Sequence, residues 1–400
     1  MTSDPAPTTP KFIQVHFLAA WPGALLNRDD AGMAKRLPFG PAVRTRISSQ
    51  CLKRHWRMAD DRHALHELAK EAGVEGQRSK MAIERRVTGP LRDRFPADSV
   101  QAVEDVFLVK IYGKNAKDPR SRQALLLGRP ELDYLRAEAE SILAGAASAK
   151  DAAARAEAWS KEERANLAQL RDQNALAPSL EAALFGRMVT SDPRANTDAA
   201  IHVAHAFTVH AEQPELDYFT VVDDLQHDGE AGAAGVFDTE LTSGLYYGYV
   251  VIDVPLLVSN LTGCPRAAWA GEVDRTLAAR VAENLVWLVA EVSPGAKKGS
   301  TAPYSRAELV LVEAGDRQPR TLANAFRNPV PLDPDRNASL GRATAECMAE
   351  HLDGLDGMYA TGEARRHAAL PSLRLPGVEG GSLPDLAAWT GDLVRRAALP

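Results

Sequence analysis

Phe12-Ile13-Gln14-Val15-His16-Phe17-Leu18 alternates apolar and polar side chains, placing Ile13, Val15 and Phe17 on one face and Gln14 and His16 on the other. That period of two predicts a half-buried opening strand. Trp21-Pro22-Gly23 is expected to end it, with a loop running to about residue 46. Ser48 or Ser49 can then cap a helix, although the acidic partner of a capping box is missing. Leu52, Trp56 and Ala59 fall on one face of that helix, while Lys53 and Arg57 share another. Residues 60–185 turn helical and rich in Ala, Glu and Lys, and the low-complexity stretch 144–172 reads as an exposed helix. Ser191-Asp192-Pro193 marks a break and residues 228–232 a flexible segment. Residues 201–209 and 218–222 are β-prone and suggest a long hairpin, and residues 246–254 return to strand character. Leu277, Val281, Leu285 and Leu288 define an amphipathic helix ending before Ser293-Pro294-Gly295, followed by a strand at 308–313. The order of strand, helix, long helical insertion, strand, helix, strand predicts an α+β chain with a split ferredoxin-like core, whose sheet or adjoining loops commonly face RNA. No Lys/Arg-Gly-aromatic signature of RRM-type base stacking is present.

Four hundred residues with 45% hydrophobic content can bury a substantial core. The net charge of -6 and pI near 6.0 exclude polyanion binding through diffuse basicity, so any such site must be a cluster. One cluster stands out. Residues 33–59 carry Lys35, Arg36, Arg44, Arg46, Lys53, Arg54 and Arg57 and no acid. Within it lies Arg46-Ile47-Ser48-Ser49-Gln50, hydroxyl and amide groups just ahead of a helix start. Cations, hydroxyls and free helix-start amides suit a row of phosphates. The plainer alternative is a solvated charged face. Cys51, Cys264 and Cys347 are too scattered for a disulfide framework or a zinc site. The polar, Pro-rich residues 2–10 and the lack of a long apolar run predict a soluble cytoplasmic protein without a membrane partner.

Leu26-Asn27-Arg28-Asp29-Asp30, followed by Arg44-Thr45-Arg46-Ile47-Ser48-Ser49-Gln50-Cys51-Leu52-Lys53-Arg54, resembles the CasC family, the repeated backbone subunit of the type I-E CRISPR Cascade complex. Further blocks of the resemblance are Leu184-Phe185-Gly186-Arg187-Met188-Val189, Asp198-Ala199-Ala200-Ile201-His202-Val203-Ala204-His205-Ala206, Asp217-Tyr218-Phe219-Thr220-Val221-Val222-Asp223-Asp224 and Leu322-Ala323-Asn324-Ala325-Phe326. They keep their order over roughly residues 12–330. The resemblance implies a ferredoxin-like (RRM-like) palm, a large helical fingers insertion and a β-hairpin thumb. The expected bounds are 11–59 for the first part of the palm, 60–187 for the fingers, 188–240 for the thumb and its base, and 241–400 for the palm's completion and a C-terminal extension. It further implies a non-enzymatic subunit, with no catalytic residue, metal or cofactor, that polymerises along CRISPR RNA. Its partners would be that RNA, target DNA through guide pairing, further copies of itself and other Cascade subunits. Carried onto this chain, the phosphate contacts are Lys35, Ser48, Gln50, Lys53 and Arg57, with Lys297 and Lys298 from a variable loop. Met188 and Phe219 match apolar positions that flank a displaced guide base. Ala42 stands where relatives often carry lysine, and Arg44 or Arg46 can compensate.

Other readings compete with these. Met188 and Phe219 also suit a plain core. Asp29 and Asp30 could hold Mg²⁺ and cleave RNA, as a loop aspartate does in the related type III backbone subunits, or simply structure their loop beside Arg28. His63 with His66 and His202 with His205 are spaced three apart but lack the companions of a metal motif. Gly295-Ala296-Lys297-Lys298-Gly299-Ser300 lacks the glycine spacing of a P-loop.

Overall fold

The computed structural model describes residues 9–113, 116, 118–172, 179–188, 196–221, 235–332 and 339–397, and only the backbone for 162–172 and 236. The predicted break at 191–193 and flexible segment at 228–232 lie outside the described residues. The chain is a mixed α+β protein that divides into two compact units. The first comprises residues 1–64, 202–252 and 279–400, and the second 65–201 and 253–278.

The first unit is organised by one large sheet. Its strands run in the order Glu379–Gly380, Ala364–Ala369, Ala307–Gly315, Phe12–Ala24, Gly235–Asp253, Ala206–Thr208, Ala42–Ile47 and Arg36–Phe39. The opening strand therefore lies centrally, antiparallel to Ala307–Gly315, with Phe12 opposite Gly315 and Val15 opposite Val312. It does not stop at Trp21 but continues to Ala24, with a bulge between Leu18 and Ala19. Its two faces are both buried, contrary to the half-buried pattern: Gln14 and His16 are as enclosed as Ile13 and Val15. A polar network makes this tolerable. The His16 ring contacts the Tyr247 hydroxyl at 2.9 Å and the Glu313 carboxylate at 3.0 Å. Glu313 accepts from Arg320 at 2.8 Å and from Arg365 at 2.5 Å, and Arg365 also pairs with Asp356 at 2.7 Å. Burial alone would raise the Glu313 carboxyl, but hydrogen bonds from Arg320 and His16 pull it well below the usual carboxylate range. Burial holds the His16 pKa below its ordinary value. Phe17 lies across Gly248, where a Cβ would sit 2.1 Å from the ring, so only glycine fits beneath it.

The expected hairpin between 201–209 and 218–222 does not form. Ala206–Thr208 pairs instead with Ala42–Ile47 and with Gly235–Asp253. The long hairpin is Pro214–Val221 against the first part of Gly235–Asp253, placing Phe219 opposite Phe237. Every residue of Pro214–Val221 is exposed. Gly40, at φ +63°, turns the short hairpin of Arg36–Phe39 and Ala42–Ile47, and a Cβ there would lie 1.8 Å from the Arg327 carbonyl oxygen.

The second unit is mainly helical. Its core gathers Val103 and Phe107 of Ala97–Tyr112, Leu135 and Ile142 of Arg129–Ala144, and Ala152, Ala156 and Trp159 of Ala149–Asp172. The last helix is thus packed over its first three turns rather than exposed throughout, and Trp159 stacks on Phe107 at 4.2 Å between ring centroids. Residues 253–278 belong to this unit. Asp253 caps Val254–Thr262 and pairs with Arg266 at 2.6 Å, while the Asn260 amide donates to the Ala183 and Asp198 carbonyls. Among the described residues, no helix is long and apolar enough to cross a membrane.

Candidate nucleic-acid interface

Strand Ala42–Ile47 feeds directly into helix Ser49–Arg57, and extended Ser48 makes the corner. Its hydroxyl accepts from the Cys51 N–H at 3.3 Å, and its own N–H donates to the Asn27 side-chain carbonyl at 2.9 Å. Buried Leu52 and Trp56 pin the helix to the first unit. Gln50 and Arg54 are exposed, while Lys53 and Arg57 are half-buried. Burial lowers the Lys53 pKa. No acid occupies the first turn, so the amides and dipole at this end are not offset by a neighbouring carboxylate of the helix.

The cations converge from several segments. The Arg46 N–H donates to the Lys35 carbonyl at 2.7 Å, and the Arg46 guanidinium donates to the Arg36 carbonyl at 3.0 Å. Register pairing of Arg46 with Phe207 and Ile47 with Ala206 carries His205 to the helix start. Burial, then the charges of Arg46, Lys35 and Lys53, hold the His205 pKa below its ordinary value. His55 is lowered by burial and by Lys298 and Arg54, although its hydrogen bond with the Cys51 carbonyl opposes this, which brings Lys298 to the same helix. Cys51 is pushed up to about 11 by burial, making it an inert thiol at neutral pH. Among the described residues, Lys35, Arg46, Arg54 and Lys298 have no carboxylate partner. Asn27 and His205 were missed as part of this corner by sequence reasoning. The register that brings His205 there is a long-range pairing with no local signal.

Two members of the acid-free stretch do not join this row. Arg44 is fully buried, donating to the Thr208 carbonyl at 3.0 Å and the Phe326 carbonyl at 2.9 Å. It ties strand to turn, and the expected phosphate contact at Arg44 has no exposed face from which to be made. Arg36 pairs with Glu212 at 2.5 Å and with buried Glu240, acids supplied from far along the chain.

Asp29, Asp30, Ala34, Lys35, Arg36 and Arg46 line an open depression of about 490 Å³. Asp29 is committed to its loop, accepting from the Met33 N–H at 2.9 Å, while Asp30 is exposed. Asp61, His63 and Glu291 place one ligand atom each within 4.8 Å of one another, a grouping invisible in the spacing of His63 and His66. Its acids are engaged: Asp61 accepts from the His63 N–H at 2.7 Å, and Glu291 pairs with Arg306 at 3.3 Å.

Lys297, next to Lys298 in sequence, lies against the long hairpin. Its ammonium donates to the Thr239 hydroxyl and sits 5.8 Å from the centroid of the Phe219 ring. Asp217, Phe219, Thr239, Leu241, Lys297 and Ser300 line a pocket of about 170 Å³ there, with Thr301. Phe219 stacks on Phe237 at 5.6 Å and is 41% exposed. Met188, on the second unit, is 66% exposed. Neither is a core residue.

A mixed sheet-and-helix protein with a cationic helix start has close relatives in shape. The chain superposes with a TM-score of 0.74 and 24% identity on a chain of a CRISPR RNA-guided surveillance complex in a pre-nicking state, covering 96% of this chain and 100% of that one. A chain of another CRISPR RNA-guided surveillance complex matches at a TM-score of 0.55 and 20% identity, over 95% and 98% of the two chains. These likenesses establish the fold. No curated protein matches the chain. A family model spans residues 13–386, and the chain belongs to the CT1975-like protein family.

Proposed function

We propose that this chain is the CRISPR RNA-binding backbone subunit of a Cascade surveillance complex of type I-E. The observation that carries the reading is the gathering of cations along one helix without a carboxylate partner among the described residues, Lys35 and Arg46 near its start and Arg54 and Lys298 near its last turn. Such a site grips sugar-phosphate without reading sequence, as a subunit that must accept many guides requires. The fold shared with chains of CRISPR RNA-guided surveillance complexes supports it.

In this reading the sheet unit is the ferredoxin-like palm, the helical unit the fingers, and the hairpin of Pro214–Val221 with Gly235–Asp253 the thumb. Copies line up along one guide in the cytoplasm, and Met188 and Phe219 hold a displaced base out of its stack. Lys53, Arg57, Gln50 and Ser48 complete the backbone contacts, and the guide between displaced bases pairs with target DNA. The subunit is a scaffold and cuts nothing. Cleavage through Asp29 or Asp30 has less support, because Asp29 is held by the Met33 N–H. The test is to purify the chain expressed with its neighbouring genes and to sequence the nucleic acid that comes with it. Repeat-derived RNAs of uniform length are expected, and are expected to be depleted by Lys35→Ala with Arg46→Ala. A complex that stays intact after nuclease and carries no RNA would overturn the reading. Regular cuts in complementary RNA that disappear on Asp30→Ala would replace it with the nuclease.

A further inference from the structure

His205 does not belong to the basic stretch, and only strand pairing brings it there. Its Nδ1 lies 3.4 Å from the Ser49 backbone nitrogen and 3.3 Å from an Arg46 guanidinium nitrogen. Both neighbours can only donate, so Nδ1 must accept, and the single ring proton is fixed on Nε2. Nε2 makes no hydrogen bond among the described residues, and the residue is exposed. The ring is therefore a neutral donor held by Arg46 and the first amide of a helix, within the electrostatic reach of Lys35 and Lys53.

We infer that His205 is a further guide-contacting residue, donating its Nε2–H to a non-bridging phosphate oxygen while its Nδ1 holds Arg46 and the helix start in place. This deepens the reading given above and rests on it. A phosphate drawn in by Lys35, Arg46 and Lys53 presents acceptor oxygens next to the one ring nitrogen that still has a proton to give. Burial and those same three charges keep the ring neutral at pH 7, so it adds a hydrogen bond without adding a counterion to be released. That separates His205 from the cations around it. Removing a lysine lowers both affinity and salt slope, whereas removing a neutral donor lowers affinity alone.

The experiment titrates the full chain against fluorescein-labelled single-stranded RNA across a range of salt concentrations. His205→Ala is expected to bind about tenfold more weakly, as for one hydrogen bond to a charged group, with the salt slope unchanged. His205→Gln, whose amide reaches the Nε2 position, recovers most of the affinity. His205→Asn, which can keep an acceptor for Ser49 and Arg46 but falls short of the phosphate, remains weak. Comparing Gln with Asn keeps the test valid even if alanine disturbs the fold. Wild-type affinity in His205→Ala, equal recovery by Asn and Gln, or a slope reduced by about 0.7 on removing the ring would each overturn the inference. A wild-type chain that fails to bind RNA at all would instead overturn the proposed function beneath it.

Discussion

The first unit holds two charged assemblies of opposite design. Around Glu313, two arginines and a histidine meet a carboxylate that is fully enclosed, and Arg365 finds a second acid in Asp356. Around His205, Lys35 and Arg46, without a carboxylate partner among the described residues, meet a ring that cannot neutralise them. The first assembly is internally complete and fixes how the opening strand sits between its neighbours. The second is incomplete without an anion. Charge that is buried must be paired to be tolerated, whereas charge left exposed and unmatched at a helix start is available to a ligand. Position along the chain does not distinguish the two cases. Arg44 and Arg46 are two residues apart, yet one serves the fold and the other faces the candidate site.

The comparison breaks most severely at Glu313. Glu313→Ala strands His16, Arg320 and Arg365 around an empty acid position, and about 3–5 kcal/mol of stability should disappear in urea melts. A decrease below about 1 kcal/mol would show the network to be dispensable. Arg44→Ala comes next. It leaves the Thr208 and Phe326 carbonyls unmet and should cost about 2 kcal/mol, with the salt slope of RNA binding unaltered. A reduced slope would return Arg44 to the phosphate row.

Acid sharpens the contrast. The His16 and Glu313 pKa values are both lowered in the folded chain, so the unfolded chain binds more protons as pH falls. Stability should be full above about pH 6.5, decline below it as unfolded histidine protonates, and decline further below about pH 4.3 as unfolded glutamate does. Urea melts at stepped pH check this, and His16→Gln should flatten the upper part of the decline. Ser48→Ala removes the helix cap and should cost about 1 kcal/mol. The smallest effect on stability is expected from Lys35→Ala with Arg46→Ala, within about 0.5 kcal/mol. Its signature should appear instead in RNA binding, as a salt slope shallower by about 0.7 for each phosphate no longer neutralised.

Much of the layout was legible in sequence because it is local. The opening strand, the Ser48 cap, the buried pair Leu52 and Trp56, and the helix Thr276–Glu291 all follow from short-range period and capping chemistry. What was not legible depends on pairing across long separations. Arg36 is matched by Glu212 and Glu240, so an acid-free stretch of chain is not acid-free in space. His16 reads as a solvent-facing residue until Glu313 is brought beside it. The hairpin partner of Pro214–Val221 was misassigned because several β-prone segments follow one another, and propensity alone cannot rank them. His205 offered only its spacing from His202, and its significance came from strand register.

The pairing of Phe12–Ala24 with Ala307–Gly315 also bears on how the protein is made. Phe12–Ala24 waits for this partner, encoded about three hundred residues later, which at ordinary synthesis rates is on the order of tens of seconds. Throughout that interval one edge of the strand stays unpaired, even once its other neighbour Gly235–Asp253 has been made, and an apolar strand with an open edge is prone to pair with another chain. A nascent chain halted before residue 307 should therefore be aggregation-prone, and dependent on chaperone capture, in a way that a chain released beyond residue 370 is not.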